Sequence, residues 1–511
     1  MNTRSLRSQW RLAQLLEMLD MKGTKLITAL MLFLAFGQAF VPDITVASTV
    51  WLMLLSGAAI LLAALFLPAL LWKNENNVWM HWERRLLILL ILCKCYSFAK
   101  AWGVAVGFDW SHHLEMLAIV SWLKPIVPAA TAFYSYHPPL GFLIPRFFLG
   151  LGIPALQSVQ LTSFVASLLA FFFLRASLRH LRILNQPAPV TFLYVLFSLP
   201  IQVSVARSIN LDIIIFAIAA GILFFSIRTF WGKSTFTLLN VVALSLLLFA
   251  GAMTKFNGLL LFVIPPLVFL VSHHFGWQWK RVFITLLPCL IALAMIMPYY
   301  YFKNIRGEGE LFPFTKAIGI NLSCQDAARQ KRDADPGAFF IALFATSPVH
   351  VLQGPEVRDQ EFVRLADTWK DLWMSDAWIG VQKGASRIMS MLYFTIAPLL
   401  VISGIVAFLC AFGRAQLRQW NVFGLFVLLL AFIEIGMEIA FLYRYPCAKA
   451  VPSKAIYILP ATMGLSFILA SNSYLPLLSA TTTPAAAVRF QFTMLLGVAL
   501  LMLCNFMLPV Y

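Results

Sequence analysis

Residues 107 to 140 read GFDWSHHLEMLAIVSWLKPIVPAATAFYSYHPPL. They follow an apolar run at 86 to 106 and hold Asp109, His113, Glu115 and His137 in a segment too charged to cross a bilayer. The stretch 114 to 136 is amphipathic, and 139 to 153 is apolar but short, with Pro145, Arg146 and Pro154 inside or beside it. Both are expected to be helices lying along the membrane interface. Asp109 and His113 stand four apart and share a face if a helix starts there. Asp is also a favoured N-cap, so Asp109 reads equally as a helix start or as a general base held at a partly dry interface.

Outward from this stretch the chain is overwhelmingly apolar. Hydrophobic residues make up 61% and charged residues 12%, with a mean hydropathy of +0.84. Such values place the protein among polytopic membrane proteins, and the net charge of +17 then reflects basic loops. Nucleic-acid binding is excluded, because no soluble segment interleaves aromatic and basic residues. Apolar runs give about thirteen spans. They lie near 26 to 42, 46 to 72, 86 to 106, 157 to 174, 188 to 206, 211 to 228, 236 to 252, 257 to 272, 282 to 301, 388 to 412, 420 to 442, 455 to 472 and 490 to 509. With the N-terminus inside, the inner segments hold eighteen Lys and Arg against four acids, whereas the outer loop 303 to 387 holds eleven of each sign. That asymmetry sets the orientation.

The expected organisation is a cytoplasmic amphipathic N-terminus at 1–25 and a transmembrane core at 26–302 whose first external loop is 107–156. An external lid-like loop at 303–387, carrying Trp369, Trp373 and Trp378, and C-terminal helices at 388–511 complete it. Parity puts five polar clusters on the outer side: Asp109 to His113, His137-Pro138-Pro139-Leu140, Arg207 to Asp212, Thr254-Lys255 and Arg444 to Lys454. Convergent ionisable groups at one interface mark an active site there. Each cluster also has a plainer reading. Arg207 and Asp212 can neutralise one another, Lys255 can snorkel, and Glu434 and Glu438 can pair with Lys449 or Arg444. Lys94 and Lys100 lie inside a span, where a central charge costs roughly 2.5 to 3.5 kcal/mol and demands interior partners. Cys324 and Cys447 fall in outer loops and are read as two free thiols, although an oxidising compartment would let them pair.

The order Asp109, His113, then His137-Pro138-Pro139-Leu140 resembles the first external loop of the GT-C superfamily of polyprenyl-phosphate-sugar glycosyltransferases. The protein-mannosyltransferase-like and RgtA/B/C/D-like branches carry Asp-Glu-x-x-His followed by His-Pro-Pro-Leu. Asn210-Leu211-Asp212, Thr254-Lys255-Phe256-Asn257-Gly258 and Lys454-Ala-Ile-Tyr457-Ile-Leu-Pro460 are similar to later elements of that pattern, so the resemblance covers roughly 85 to 300 with an echo near 444 to 460. It implies an all-α GT-C fold with external interfacial helices, and transfer of a sugar from a polyprenyl- or dolichyl-phosphate donor to a glycan, lipid or protein acceptor. In that scheme Asp109 is the base, and His113 and His137 position it, contact phosphate or join it on a divalent metal. Lys255, Arg444 and Lys454 bind the donor phosphate, and Glu115, Arg207, Asn210, Asp212 and Tyr457 contact donor or acceptor. Trp110 stands where the pattern has its second acid, which also admits a catalytically silent relative. A lipid or solute transporter is the remaining alternative. The compartment expected is a bacterial inner membrane, or the endoplasmic reticulum if the sequon at Asn321 is used.

Overall fold

The computed structural model describes residues 77–105, 110–132, 134–210, 212–231, 237–272, 279–311, 313, 322–344, 385–412, 414, 417–447, 459–478 and 484–507. The first two expected spans, Asp109, Lys449, Lys454, Tyr457 and the tryptophans of the long loop lie outside the described residues. Within them every regular element is a helix, and five are long and apolar enough to cross a membrane. The protein is an integral multi-pass membrane protein.

Helix α1 (Val78–Ala101) begins where Asn77 Oδ1 accepts from the amides of Trp79 and Met80 at 2.9 and 3.2 Å. Helix α2 (Trp110–Ile119) and helix α3 (Leu140–Gly150) are the two pieces expected at the interface. The expected single helix over 114 to 136 is not formed. It stops at Ile119, and an irregular segment carrying Pro125 and Pro128 runs on to His137, since proline cannot supply the amide a helix interior needs. Arg146 Nη1 donates to the Leu117 carbonyl at 2.6 Å and so fastens α3 to α2.

Helix α4 (Ala155–His180) packs along α7 (Asp212–Phe230), one of the most deeply buried spans. Between them the expected span at 188 to 206 is broken into α5 (Pro187–Ser198) and α6 (Pro200–Arg207), bent by 53°. Pro200 causes the break, because the residue before a proline is pushed out of helical geometry and Leu199 takes φ −57°, ψ 137°. The interior partner of Lys94 is Ser167, whose Oγ accepts at 2.5 Å while the ammonium faces the Phe197 ring.

Helix α8 (Leu238–Thr254) ends at Lys255, which is extended, and the chain turns directly into a 3-10 segment (Phe256–Val263) continued by α9 (Ile264–Ser272). The hairpin closes because Gly258 has no side chain: a Cβ there would lie 2.0 Å from the Gly251 carbonyl oxygen. Helix α10 (Trp279–Tyr299) runs into a π-helical turn (Tyr300–Glu308) that Gly309 ends at φ +75°.

Beyond it, α11 (Leu322–Ala334) and α12 (Pro336–Phe344) form a helical pair docked on the end of α14 (Arg418–Arg444). Here the reading of two free thiols is overturned. Cys324 and Cys447 form a disulfide with Cα atoms 6.0 Å apart, and loop positions distant in sequence had concealed their proximity. Arg329 donates to the Arg444 carbonyl and Arg332 to the Tyr443 carbonyl, while Phe339 and Phe340 flank the Tyr443 ring. Helices α13 (Ala385–Ala411), α15 (Thr462–Ser471), α16 (Leu475–Leu478) and α17 (Pro484–Met507) complete the bundle.

Candidate active site

The site is assembled at one end of the bundle, from the loop before α3, the α8 apex, the start of α7 and the π-helical turn. The loop is shaped from within. Ser135 Oγ lies 2.6 Å from the Ala129 carbonyl and accepts from the Ala132 amide, so the chain folds over itself before His137. Two residues of the π-helical turn then hold it from outside. Lys303 Nζ donates to the Ser135 carbonyl at 2.9 Å, and Glu308 Oε1 accepts from the Ala129 amide at 2.8 Å.

Tyr134 of this loop stacks with His113 of α2 and with His137, with ring centroids at 4.8 and 5.6 Å. Tyr136 and Phe256 close the other sides of His137 at 4.1 and 5.7 Å. Both ring nitrogens of His137 are buried and have no hydrogen-bond partner. Burial, then the positive charges of Lys255, His113 and Lys303, hold its pKa well below the ordinary histidine range, so the imidazole is neutral and carries one unspent donor. Tyr299 Oη and Asn257 Oδ1 are likewise buried without a partner. Unsatisfied buried polar atoms cost free energy; the donors of His137 and Tyr299 suit an anion, whereas Asn257 Oδ1 is an acceptor and calls for a donor.

Asp212 is the acid at the start of α7. Asn210 Oδ1 accepts from the Asp212 amide at 2.6 Å and so caps α7, and the Asn210 carbonyl accepts from Ser163 Oγ at 2.8 Å. The Asp212 carboxylate receives Lys255 Nζ at 2.6 Å, so the lysine is an ion-pair partner and not a solvent-seeking side chain. Arg207 is buried and donates to Ser97 Oγ at 3.3 Å.

The structure thus gathers His113, His137, Lys255, Asp212 and Asn210. Glu115 is exposed and lies 3.5 Å from His112 Nδ1. Arg444 sits at the lid junction, where its Nε donates to Tyr445 Oη at 3.4 Å. Glu434 and Glu438 are buried in α14, with the Ala461 amide donating to Glu434. Lys303 and Glu308 were missed by sequence reasoning, which counted them in a neutral outer loop. A usable signal was present in Tyr299-Tyr300-Tyr301-Phe302, an aromatic run that sets Lys303 at the membrane surface.

The described residues contain no group of three His, Cys, Asp or Glu placed to hold a metal. The imidazoles of His113 and His137 offer nitrogen ligands, but the positive charges of Lys255 and Lys303 also act on His137. A metal cation here would meet two ammonium groups, and the described residues group no third ligand with the two imidazoles.

No protein-family model matches the chain, and no curated protein matches it. Two crystal structures of ArnT from Cupriavidus metallidurans are similar to it. The one bound to undecaprenyl phosphate has a TM-score of 0.37 and 15% identity over 77% of each chain. The one in the apo state has a TM-score of 0.36 and 14% identity, covering 77% of this chain and 76% of its own.

Proposed function

We propose that this protein is a membrane glycosyltransferase that moves a sugar from a polyprenyl-phosphate donor to an acceptor hydroxyl at the external face. The observation that carries the reading is the neutral, buried His137, with both ring nitrogens unpartnered beside Lys255 and Lys303. A phosphate at the membrane surface would supply oxygen acceptors for the imidazole and Tyr299, beside the ammonium groups of Lys303 and of Lys255, the latter already paired with Asp212. The sequence pattern from Asp109 to Leu140 supplies the reaction class, by its resemblance to GT-C glycosyltransferases.

In this mechanism Asp109 takes the proton of the acceptor hydroxyl, whose oxygen attacks the anomeric carbon from the face opposite the phosphate. The bond from that carbon to the phosphate oxygen breaks with its electron pair on the phosphate, and the configuration inverts. Charge grows on the leaving phosphate as the sugar acquires oxocarbenium character, and Lys255 and Lys303 stabilise that charge. His137 donates one hydrogen bond without adding charge, and His113 is held in place by Tyr134. Arg444, Lys454 and Tyr457 belong to the donor side, while Glu115, Arg207 and Asn210 shape donor or acceptor contacts. The long external loop to residue 387 is assigned the shaping of the acceptor site.

The test is binding of polyprenyl phosphate to purified protein. His137→Ala and Lys303→Met are each expected to weaken it about tenfold or more, on the scale of a charge-assisted hydrogen bond. Undiminished affinity in both variants would remove the phosphate from this cluster.

A further inference from the structure

At the opposite end of the bundle, α1 opens with a second concentration of charge. Residues two apart on a helix point to nearly opposite sides, so Glu83 and Arg85 face different neighbours. Glu83 is fully buried and fully engaged. Arg175 grips it through Nε at 2.6 Å and Nη2 at 2.9 Å, and the Tyr194 hydroxyl lies 3.0 Å from its Oε1. Its ion-pair partner is Arg175 and not Arg85.

Arg85 is 6% exposed, and its Nε and Nη1 are buried without a hydrogen-bond partner. Its guanidinium lies 4.9 Å from the centre of the Trp82 ring, and Trp82 in turn meets Phe492 of α17 edge-on at 4.8 Å. His81, four residues before Arg85 on the same face, feels the positive charges of Arg85 and Arg84. Arg489 is three residues before Phe492 and thus on the same side of α17. This corner between α1 and α17 therefore holds a buried cation with two unspent donors and further basic residues around it, and among the described residues no acid faces it.

A buried charge without a counter-charge is strongly unfavourable, and guanidinium donors match phosphate oxygens in geometry. The tryptophan floor and the neighbouring apolar surface of α17 are the surroundings of a lipid headgroup at a membrane interface. We infer that the α1–α17 corner is a binding site for the phosphate of an anionic phospholipid in the leaflet at this end of the bundle, with Arg85 as its principal ligand. The site is separate from the glycosyltransferase cluster and does not depend on that reading. It would couple the seating of α17 against α1 to lipid composition.

The experiment uses the full-length protein, purified and delipidated in neutral detergent. Melting is followed on adding phosphatidylglycerol, phosphatidylcholine or inorganic phosphate, for the wild type, Arg85→Gln and Arg179→Gln, the last removing an exposed arginine from the end of α4. Phosphatidylglycerol is expected to raise the wild-type Tm by roughly 3 °C, with no rise from the other two additions. Arg85→Gln loses most of that increment and Arg179→Gln keeps it. If Arg85→Gln does not accumulate, Arg85→Lys takes its place and is also expected to lose most of the increment, because lysine cannot present two parallel donors. Equal increments in wild type and the Arg85 variant, equal loss in Arg179→Gln, or the same effect from inorganic phosphate would each overturn the proposal.

Discussion

Lys255 Nζ stands 2.6 Å from Asp212 Oδ1, and this contact joins the apex of the α8 hairpin to the first residue of α7. The two side chains are 17% and 5% exposed, so the pair is largely withdrawn from water. Attraction between them offsets a desolvation cost that neither charge could bear alone. The same ammonium adds to the effect of burial on His137, so one lysine ties the helix junction and contributes to the electrostatics of the loop.

The first prediction follows from that double duty. Lys255→Met leaves the Asp212 carboxylate buried and uncompensated, at a cost of about 3 kcal/mol or more. Adding Asp212→Asn is expected to restore most of the thermal stability without restoring polyprenyl-phosphate binding. Recovery of both in the double variant would show that Lys255 serves the fold alone.

The second concerns the turn itself. Gly258→Ala places a methyl group against the Gly251 backbone, where neither partner is a flexible side chain that can swing away. Overpacking of this kind costs about 1 to 3 kcal/mol. The variant is expected to melt earlier and, because Lys255 moves with the hairpin, to bind polyprenyl phosphate less well. Gly436→Ala, where a Cβ meets nothing within 4 Å, is the control and is expected to behave as wild type.

The third joins the disulfide to topology. Mass spectrometry of an unreduced digest is expected to recover the Cys324 and Cys447 peptides linked. Cysteine introduced at Thr131, exposed near His137, is expected to react with an impermeant thiol reagent added outside, and cysteine at Arg414 only after the membrane is opened. Outside labelling at both positions would break the assignment of one external active-site face.

Much of the site was legible because the chemistry sits in short polar words within apolar text. His137-Pro-Pro-Leu, Asn210 to Asp212 and Thr254-Lys255 do come together, and parity of span ends was enough to place them at one end. What escaped depended on three-dimensional detail. The pairing of Lys255 with Asp212 needs the Gly251–Gly258 approach, which no spacing rule reveals. Lys303 and Glu308 act through a π-helical turn that sets both against the His137 loop, and Cys324 meets Cys447 across 123 residues of sequence. Periodicity overran the helix after Ile119 because amphipathic spacing continues past Pro125 and Pro128, although the hydrogen bonding cannot.

The central claim is that Asp109 removes the acceptor's proton while the His137, Lys255 and Lys303 cluster receives the phosphate. Sugar transfer from polyprenyl-phosphate donors should be measured for wild type, Asp109→Asn and Trp110→Glu in matched membranes, with and without divalent metal. Asp109→Asn keeps the shape and capping capacity of the residue but not the base, and is expected to bind polyprenyl phosphate normally while transfer falls by about 10²-fold or more. Near-normal turnover in Asp109→Asn would assign that residue to helix capping. Absence of transfer in the wild type from every donor, together with its appearance in Trp110→Glu, would contradict the account and make the natural protein a silent relative.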